Sequence, residues 1–290
     1  MTQLFRSVDL SPGLYVVATP IGNLRDVTLR ALDTLASVDV VYAEDTRQTR
    51  RLLDAYGIET ALKPYHDHNG AQMRPLIASA IEDGQSVALV SDAGTPLISD
   101  PGFKLVRELA EAGHFISPIP GASAAIAALC VSGLPTDTFT FAGFLPPKSG
   151  ARQTRLKDFA EHKTTLILYE TGPRLAETLV DISAVYGEDT PVVVARELTK
   201  LFETVTRNSV SGEIARLNGE ATPKGEIVLM ISLSGETEAN ASAQSIEDFL
   251  LERLPTLGAK GAAGEAARHF HKAKRDMYAL AVKLQSDQKE

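Results

Sequence analysis

Short runs of apolar residues alternate along this chain with amphipathic stretches. The runs are apolar at consecutive positions, as is typical of strands covered by helices on both faces. They occupy residues 14–18, 38–43, 87–91, 165–170, 192–197 and 227–232. Helical periodicity between them predicts helices over residues 29–38, 46–56, 72–83, 103–112 and 175–186. The alternation predicts an α/β fold rather than an all-β protein or a helical bundle.

The pattern changes after Gly121. Residues 122–132 are small and apolar and predict a tightly packed connecting helix, and a second series of strands and helices begins at residue 138. The polar stretch 234–243 is typical of a linker and precedes a helical tail. We therefore expect an N-terminal α/β domain over residues 1–121, a C-terminal α/β domain over 122–235 and a tail over 245–290.

Length, charge and cysteine content narrow the possible classes. A chain of 290 residues is expected to form one or two main domains, and a net charge of -8 disfavours a wholesale nucleic-acid coat. No apolar run approaches the roughly 20 residues of a membrane span, and the first residues lack the apolar core of a signal peptide. The single Cys130 excludes a disulfide framework. We expect a cytoplasmic protein that does not associate with membranes.

Residues with chemical potential follow the predicted strands. The first strand ends in TPIGNL (19–24), which is neither a dinucleotide-binding loop nor a Walker loop. The third ends in SDAGTPLISDPG (91–102), which is much longer than a plain strand-to-helix connection. Its glycines and prolines indicate backbone groups arranged around a ligand. Asp100 before Pro101 also fits the N-cap of a helix starting near Phe103.

Two further strand ends leave alternatives open. Glu44 and Asp45 follow the second strand and would face the crevice of a parallel sheet, but Asp45 or Thr46 would equally cap the next helix. Arg47 would pair with these acids or contact phosphates. The small residues of PGASA (120–124) would admit a bulky ligand or simply allow close helix packing.

Eight motifs together carry a family resemblance. ATPIGNL, AEDTR, SDAGTPLISDPG, PGASA, FAGFLP, YETGPR, ARELTK and KGEIVL occur in this order within residues 14–231. This arrangement resembles the tetrapyrrole methylase superfamily of S-adenosylmethionine-dependent methyltransferases, and within it the branch that methylates ribosomal RNA. The long loop at 91–102 separates that branch from the precorrin methyltransferases, which carry a GDP-type glycine-rich loop at this point.

The resemblance implies the two-domain class III methyltransferase fold with a small helical C-terminal tail. It implies S-adenosyl-L-methionine bound between the two domains, and a homodimer. Relatives in this branch methylate the ribose 2′-hydroxyl of a decoding-region cytidine in 16S rRNA of the small ribosomal subunit. The cofactor residues implied by the matching motifs are Pro20, Asp92, Gly94, Thr95, Pro96, Ile98, Ser123, Ala124 and Leu145.

A ribose hydroxyl must lose its proton during methyl transfer. The acids expected at the cleft rim are the candidates for the base, and the residues alone do not choose among Glu44, Asp45, Asp100 and Glu226. Lys200 would stabilise the developing alkoxide or hold a phosphate. Two other motif pairs, Arg196 with Glu197 and Glu170 with Arg174, would serve equally well as internal salt bridges. His66 and His68 lack an evident third ligand, so we expect no metal site.

Basic side chains are the expected contacts to RNA. Residues 145–159 carry a net charge of +3 beside the cleft motif GFLP, and we assign Lys148, Arg152 and Arg155 to phosphates, together with Arg47. Residues 253–283 carry seven basic side chains against two acidic ones, a net charge of +5, so the rest of the chain carries -13. Lys272, Lys274 and Arg275 lie in this basic tail.

The tail itself predicts a helix-turn-helix-like unit. Two helical patterns, over about residues 261–270 and 273–284, are separated by a short break. A small core shared by the two helices is expected from Ala266, Phe270, Leu280, Ala281 and Leu284.

Two other functions compete with RNA methylation. One is tetrapyrrole C-methylation within the same superfamily, which the basic segments and the absence of the precorrin-type loop disfavour. The other is a non-catalytic RNA-binding assembly factor, which the intact cofactor loops disfavour.

Overall fold

The computed structural model describes residues 4–233, 238–270 and 272–287, with side chains for all of these except 238–245 and 287. Contacts divide the chain into two compact units, Met1–Leu233 and Ser234–Glu290. The first unit holds two five-stranded sheets. Because each unit has its own buried core, the two are described separately.

The strands of the first sheet are β1 (Gly13–Val17), β2 (Val40–Ala43), β3 (Ala61–Pro64), β4 (Ser86–Val90) and β5 (Ile116–Ile119). This sheet is entirely parallel, with strand order β3-β2-β4-β1-β5. Its helices are α1 (Leu29–Ser37), α2 (Thr46–Tyr56), α3 (Gly70–Glu82) and α4 (Phe103–Glu111). Apolar residues of α1 and α2 pack on one face and those of α3 and α4 on the other, so both faces of the central strands are buried.

The strands of the second sheet are β6 (Phe139–Phe144), β7 (Thr165–Thr171), β8 (Pro191–Arg196), β9 (Thr204–Ser209) and β10 (Glu226–Ser232). This sheet is mixed, with order β6-β7-β10-β8-β9 and a parallel pair only between β6 and β7. Its helices are α5 (Ala124–Ser132), α6 (Ser149–Lys157), α7 (Gly172–Tyr186) and α8 (Val210–Asn218). The helix α5 packs on one face, and α6, α7 and α8 cover the other.

The predicted α/β class is confirmed, and the predicted strands and helices of this unit are present with ends shifted by up to three residues. The strands β3 and β9 were not predicted from the sequence. Both are edge strands with many exposed positions, and their sequences, ALKP and TVTRNS, lack a continuous apolar run. One sheet ends with β5 and the next begins with β6, but the domain boundary at residue 121 stays a prediction.

The second unit consists of α9 (Glu238–His269), which breaks at Gly258, and α10 (Lys274–Asp287). Of the predicted linker, residues 234–237 lie outside the described residues, whereas 238–243 are helical, so the linker prediction is wrong there. The predicted shared core is confirmed: Ala266 and Ala281 are fully buried, and Phe270, Leu280 and Leu284 pack against them. No helix within the described ranges combines the length and apolar character of a membrane span.

Candidate active site

A cavity of about 260 Å³ lies between the two sheets of the first unit. One wall is formed by the loops that follow β1, β4 and β5, at the carboxyl ends of the parallel strands, where open α/β sheets bind ligands. This first wall contains Ile21, Asp92, Gly94, Thr95, Ile98, Asp100, Ser123 and Ala124. The opposite, second wall is formed by strands of the mixed sheet and contains Phe144, Tyr169, Glu170, Thr171, Ala195, Leu198, Glu226 and Val228.

Backbone hydrogen bonds hold the first wall together. Thr19 and Gly94 exchange two of them, with N···O distances of 2.8 and 3.1 Å, and so join the loops after β1 and β4. The Thr95 hydroxyl donates to the carbonyl of Ala122 at 3.1 Å, which ties in the loop after β5. Gly94 has φ +83°, and a Cβ there would approach Ile21 Cγ2 to 3.2 Å. The close contact and the positive φ explain why glycine occupies this position.

The loop at 91–102 holds backbone strain. Leu97 and Ser99 have φ values of 72° and 68°, a left-handed conformation that costs about 1–2 kcal/mol for such residues. Conformations of this kind persist where surrounding structure fixes them, and they cluster at functional sites. Gly102, not Asp100, occupies the N-cap position of α4, so the predicted cap at Asp100 is wrong. Asp100 lines the cavity instead.

Carboxyl groups accumulate at the first wall. Burial, together with the negative charges of Glu44 and Asp92, raises the pKa of Asp100 to about 6. Burial and the nearby Asp92 and Asp67 also raise the pKa of Glu44, which is not part of the cavity lining. Asp92 accepts a hydrogen bond from the backbone N–H of Asp45 at 2.9 Å, so this carboxylate is held in place.

Asp45 caps α2, which confirms one of the two interpretations of this residue. Its carboxylate accepts hydrogen bonds from the backbone and the guanidinium of Arg47, at 2.7–3.0 Å. The hydrogen bond from the Arg47 side chain is the main cause that lowers the pKa of Asp45 to about 2. A carboxylate that is paired in this way and lies outside the cavity lining is poorly suited to accept a proton there.

The YETGPR motif supports the second wall. Glu170 is 3% exposed and accepts hydrogen bonds from the Thr178 hydroxyl and the backbone N–H of Thr171. Arg174 Nε lies 3.3 Å from Glu170 Oε1, and the same guanidinium donates to the carbonyl of Leu145 at 2.8 Å. The salt bridge that the sequence suggested as one alternative is therefore present. The same Arg174 side chain also holds the backbone of the GFLP motif.

Lys200 bridges two acids at the rim of the second wall. Its ammonium donates to Glu197 Oε1 at 2.9 Å and to Glu226 Oε2 at 2.8 Å. Burial alone would lower the pKa of Lys200, but these two carboxylates outweigh it and the pKa is raised. The guanidinium of Arg196 donates to Thr204 and to the carbonyl of Lys224. These two contacts, rather than the suggested salt bridge with Glu197, hold the Arg196 side chain.

The predicted cofactor residues divide into two groups. Six of the nine line the cavity: Asp92, Gly94, Thr95, Ile98, Ser123 and Ala124. Pro20, Pro96 and Leu145 do not, and the Leu145 side chain is buried in the core beneath the second sheet. Of the catalytic candidates, Asp100 and Glu226 line the cavity, Lys200 contacts Glu226, and Glu44 and Asp45 lie outside the lining.

Two aromatic residues of the second wall, Phe144 and Tyr169, were not predicted from the sequence. Both lie in motifs of the family resemblance, FAGFLP and YETGPR, so the sequence identified the two segments but not the side chains that line the cavity. Which of the adjacent side chains faces the cavity depends on the register between β6 and β7, and a single sequence does not display that register.

The basic residues assigned to RNA have different surroundings. Arg47, Lys148 and Arg155 are exposed, as are Lys272, Lys274 and Arg275 between α9 and the first turn of α10. Arg152 is 1% exposed and its Nε lies 2.5 Å from Asp181. A guanidinium buried in this ion pair is not open to a phosphate, so the structure does not support an RNA contact at Arg152.

Metal ligands are not clustered in the part of the chain that the structure describes. No group of three or more His, Cys, Asp or Glu side chains there is arranged to hold an ion. His66 and His68 instead form an edge-to-face ring pair in the turn that leads into α3.

Curated relatives match nearly the whole chain. "Ribosomal RNA small subunit methyltransferase I" of Mesorhizobium japonicum is 46% identical over 276 residues, which cover 95% of this chain and 93% of the relative. The protein with the same name from Escherichia coli O157:H7 is 45% identical over 282 residues, or 97% of this chain and 98% of the relative.

Solved structures share the fold at low sequence identity. Diphthine synthase superposes with a TM-score of 0.60 at 15% identity, over 76% of this chain and 89% of that one. The cobalt precorrin-4 methyltransferase of cobalamin biosynthesis gives 0.54 at 20% identity, over 81% and 98%. The model of the family "Tetrapyrrole (Corrin/Porphyrin) Methylases" matches residues 13–212. The two sheets with their covering helices and the cavity between them agree with the matches to this family and to these relatives. The chain therefore belongs to the tetrapyrrole methylase family, in the group of the ribosomal RNA small subunit methyltransferase I proteins.

Proposed function

We propose that this protein transfers a methyl group from S-adenosyl-L-methionine to the 2′-hydroxyl of a decoding-region cytidine in 16S rRNA. The names of the relatives support ribosomal RNA of the small subunit as the substrate class. The ribose position and the cytidine rest on the resemblance of the motifs.

The charge of the cavity carries this proposal. Among the described residues that line it, four are carboxylic acids and none is Lys, Arg or His. A cofactor with phosphate groups would meet repulsion from these carboxylates, and the lining offers none of the basic side chains that commonly pair with phosphates. S-adenosylmethionine has no phosphate and carries positive charge on its sulfonium and its amino group. The carboxylates of the cavity therefore fit the positively charged groups of this cofactor.

Particular residues are suited to hold each part of the cofactor. The exposed carboxylate of Asp92 and the hydroxyl of Ser123 would accept or share hydrogen bonds with amino and ribose groups. The absence of a side chain at Gly94 lets the ligand approach the backbone closely. When bound, the cofactor supplies an electrophilic methyl group. The walls would hold the two reactants in line, which is a major source of rate in such transfers.

Asp100 is the residue we propose as proton acceptor for the ribose hydroxyl. It lines the cavity, and a carboxyl group with a pKa of about 6 is mostly ionised at neutral pH yet more basic than an ordinary aspartate. Glu226 on the opposite wall already has one carboxylate oxygen in a hydrogen bond with the ammonium of Lys200. We propose that Lys200 orients Glu226 and adds positive charge at the rim, where the developing alkoxide or a neighbouring phosphate would be stabilised.

Exposed cations would provide the phosphate contacts. We propose Arg47, Lys148 and Arg155 on the first unit and Lys272, Lys274 and Arg275 on the tail, since contacts to phosphates dominate the affinity of proteins for nucleic acids. A protein with a net charge of -8 needs such local positive surfaces to approach RNA. We further propose a cytoplasmic homodimer, and a monomer mass that is independent of concentration in light scattering would contradict the dimer.

A methyl-transfer assay tests the function directly. The protein is incubated with labelled S-adenosylmethionine and small ribosomal subunits from cells that lack this modification, and the labelled nucleotide is mapped. We expect one methylated ribose in the decoding region. Label in a tetrapyrrole precursor and none in RNA would contradict the proposal, and binding of RNA without any transfer would indicate an assembly factor.

Deletion of residues 245–290 tests the role of the tail. We expect the truncated protein to keep cofactor affinity, because the cavity is built within residues 4–233, and to lose affinity for the ribosomal substrate. The difference between full-length and truncated protein should shrink as salt increases, since the deleted contacts are electrostatic. Equal substrate affinity at low salt would contradict this role.

A further inference from the structure

The strand β6 contains one extra residue where it borders the cavity. Phe141 lies opposite Ile167 of β7, and Phe144 lies opposite Tyr169, so three steps along β6 match two along β7. Such a β-bulge changes the direction in which the following side chains point, and bulges are frequent beside active sites. Gly143, with φ +63°, lies within this irregularity.

The bulge exchanges the positions of two neighbouring side chains. Ala142 packs against the core beneath the second sheet, and strict alternation would put Phe144 on that same face. Instead Leu145 is buried in that core, and Phe144 joins Phe141 on the face toward Tyr169. Without the bulge, Leu145 would face the cavity and Phe144 would be buried.

As a result, an aromatic ring is presented to the cavity. Phe144 lines it and is 52% exposed. Tyr169, which also lines the cavity, contacts the ring edge-to-face with a centroid distance of 5.7 Å, and about half of the Phe144 residue surface stays exposed. Across the cleft, a Cβ built on Gly143 would lie 3.0 Å from the Ser99 hydroxyl of the strained loop. The backbone next to Phe144 therefore lies close to the first wall.

We propose that Phe144 stacks against a nucleobase ring in the cavity. This inference rests on the proposed function, in which both reactants carry such a ring: adenine in the cofactor and cytosine in the RNA. Every base offers a flat apolar face, and unpaired bases are commonly recognised by stacking on Phe or Tyr. The polar first wall is suited to the sugar and amino acid groups, and the aromatic second wall to the base.

Three variants test the stacking contact. Phe144→Leu removes the ring but keeps an apolar side chain, and Phe144→Trp keeps an aromatic surface. Phe139→Leu is the matched control, since Phe139 lies on the same strand, is 42% exposed and is not part of the cavity lining. We expect Phe144→Leu to lose about tenfold in binding of one of the two bases. Phe144→Trp should stay within about threefold of wild type, and Phe139→Leu should behave as wild type.

Two measurements distinguish the two bases. Calorimetry with S-adenosylhomocysteine reports on adenine, and the KM for small-subunit RNA at saturating S-adenosylmethionine reports on the substrate base. A loss of S-adenosylhomocysteine affinity in Phe144→Leu assigns the ring to adenine. An increase in the KM for RNA with unchanged S-adenosylhomocysteine affinity assigns it to the target base.

Other results would overturn the inference. These are unchanged binding of both ligands to a folded Phe144→Leu protein, or a loss that Phe144→Trp does not restore. A loss confined to S-adenosylmethionine would assign the ring to the sulfonium cation instead of a base. Wild-type protein that binds no S-adenosylhomocysteine would refute the proposed function itself and not the stacking contact in particular.

Discussion

The two walls of the cavity are built by different means. The first wall consists of loops at the ends of parallel strands, and its shape is set by backbone conformation: the hydrogen bonds between Thr19 and Gly94, and the left-handed Leu97 and Ser99. The second wall consists of strand side chains that are held by other side chains, as Arg174 holds Glu170 and the backbone of Leu145. We therefore expect a change that disturbs the backbone of the first wall to cause a large loss of ligand affinity. Single side-chain changes in the second wall should cause smaller, graded losses.

The largest expected effect is on the first wall, in Gly94→Val. A β-branched residue is strained at φ +83°, and its Cβ would crowd Ile21 at 3.2 Å. We expect cofactor affinity measured by calorimetry to fall by at least about a hundredfold, or about 2.7 kcal/mol. Gly84→Val is the control, because Gly84 has φ +89° with no atom within 4 Å of a built Cβ. It should be strained to a similar degree and bind normally, and normal binding by folded Gly94→Val would contradict this account of the wall.

Asp100→Asn should remove the proposed proton acceptor and slow methyl transfer by about a hundredfold or more in single-turnover assays. The wild-type rate should fall as the pH drops below about 6, as Asp100 becomes protonated. A mutant rate with the same dependence on pH as the wild type would contradict this role.

Ionisation of Asp100 should raise the rate of methyl transfer but lower the stability of the folded protein. Because the folded pKa is raised above its value in the unfolded chain, the folded state binds the proton more tightly, and stability is lost as the pH rises from about 4 to 6. We therefore expect Asp100→Asn to be more stable than wild type at pH 7, by a margin that shrinks toward pH 4 in thermal melts. A margin that does not depend on pH would show that Asp100 titrates normally.

A graded effect is expected on the second wall from Arg174→Met. Arg216→Met is a close control, because each arginine side chain is 29% exposed and each pairs with a glutamate side chain that is 1% exposed. Both variants should lose stability to a similar extent. Only Arg174→Met should weaken cofactor binding, by about tenfold, since only Arg174 also holds the carbonyl of Leu145. Equal cofactor affinity in the two variants would indicate that Arg174 stabilises the fold but does not contribute to cofactor binding.

The smallest expected effect on binding comes from Thr178→Val. This change removes the hydroxyl that donates to Glu170 Oε2 at 2.7 Å, and leaving a buried carboxylate oxygen unpaired costs about 1–3 kcal/mol of unfolding free energy. The other oxygen keeps the N–H of Thr171 and the nearby Arg174, so cofactor affinity should stay within about threefold of wild type. A loss of affinity as large as that of Arg174→Met would mean that the wall is one cooperative unit.

Much of the first wall could be predicted from the sequence, because it depends on local properties. The length of the loop at 91–102, its glycines and its position after an apolar strand all indicated backbone groups near a ligand, and Gly94, Thr95 and Ile98 line the cavity. The second wall was less accessible. Its motifs were recognised, but the side chain assigned to the ligand was Leu145, and the neighbouring Phe144 lines the cavity.

The sequence by itself determined the α/β class, the order of most helices and strands, the motifs of the family and the short core of the tail. These follow from periodicity and from residues close together in the chain. Only the tertiary structure decided that Arg152 is buried against Asp181, that Lys200 is shared by Glu197 and Glu226, and that a bulge turns Phe144 toward the cavity. Each depends on partners three or more positions away, or on the register between strands, and one residue of register reverses which side chain is buried.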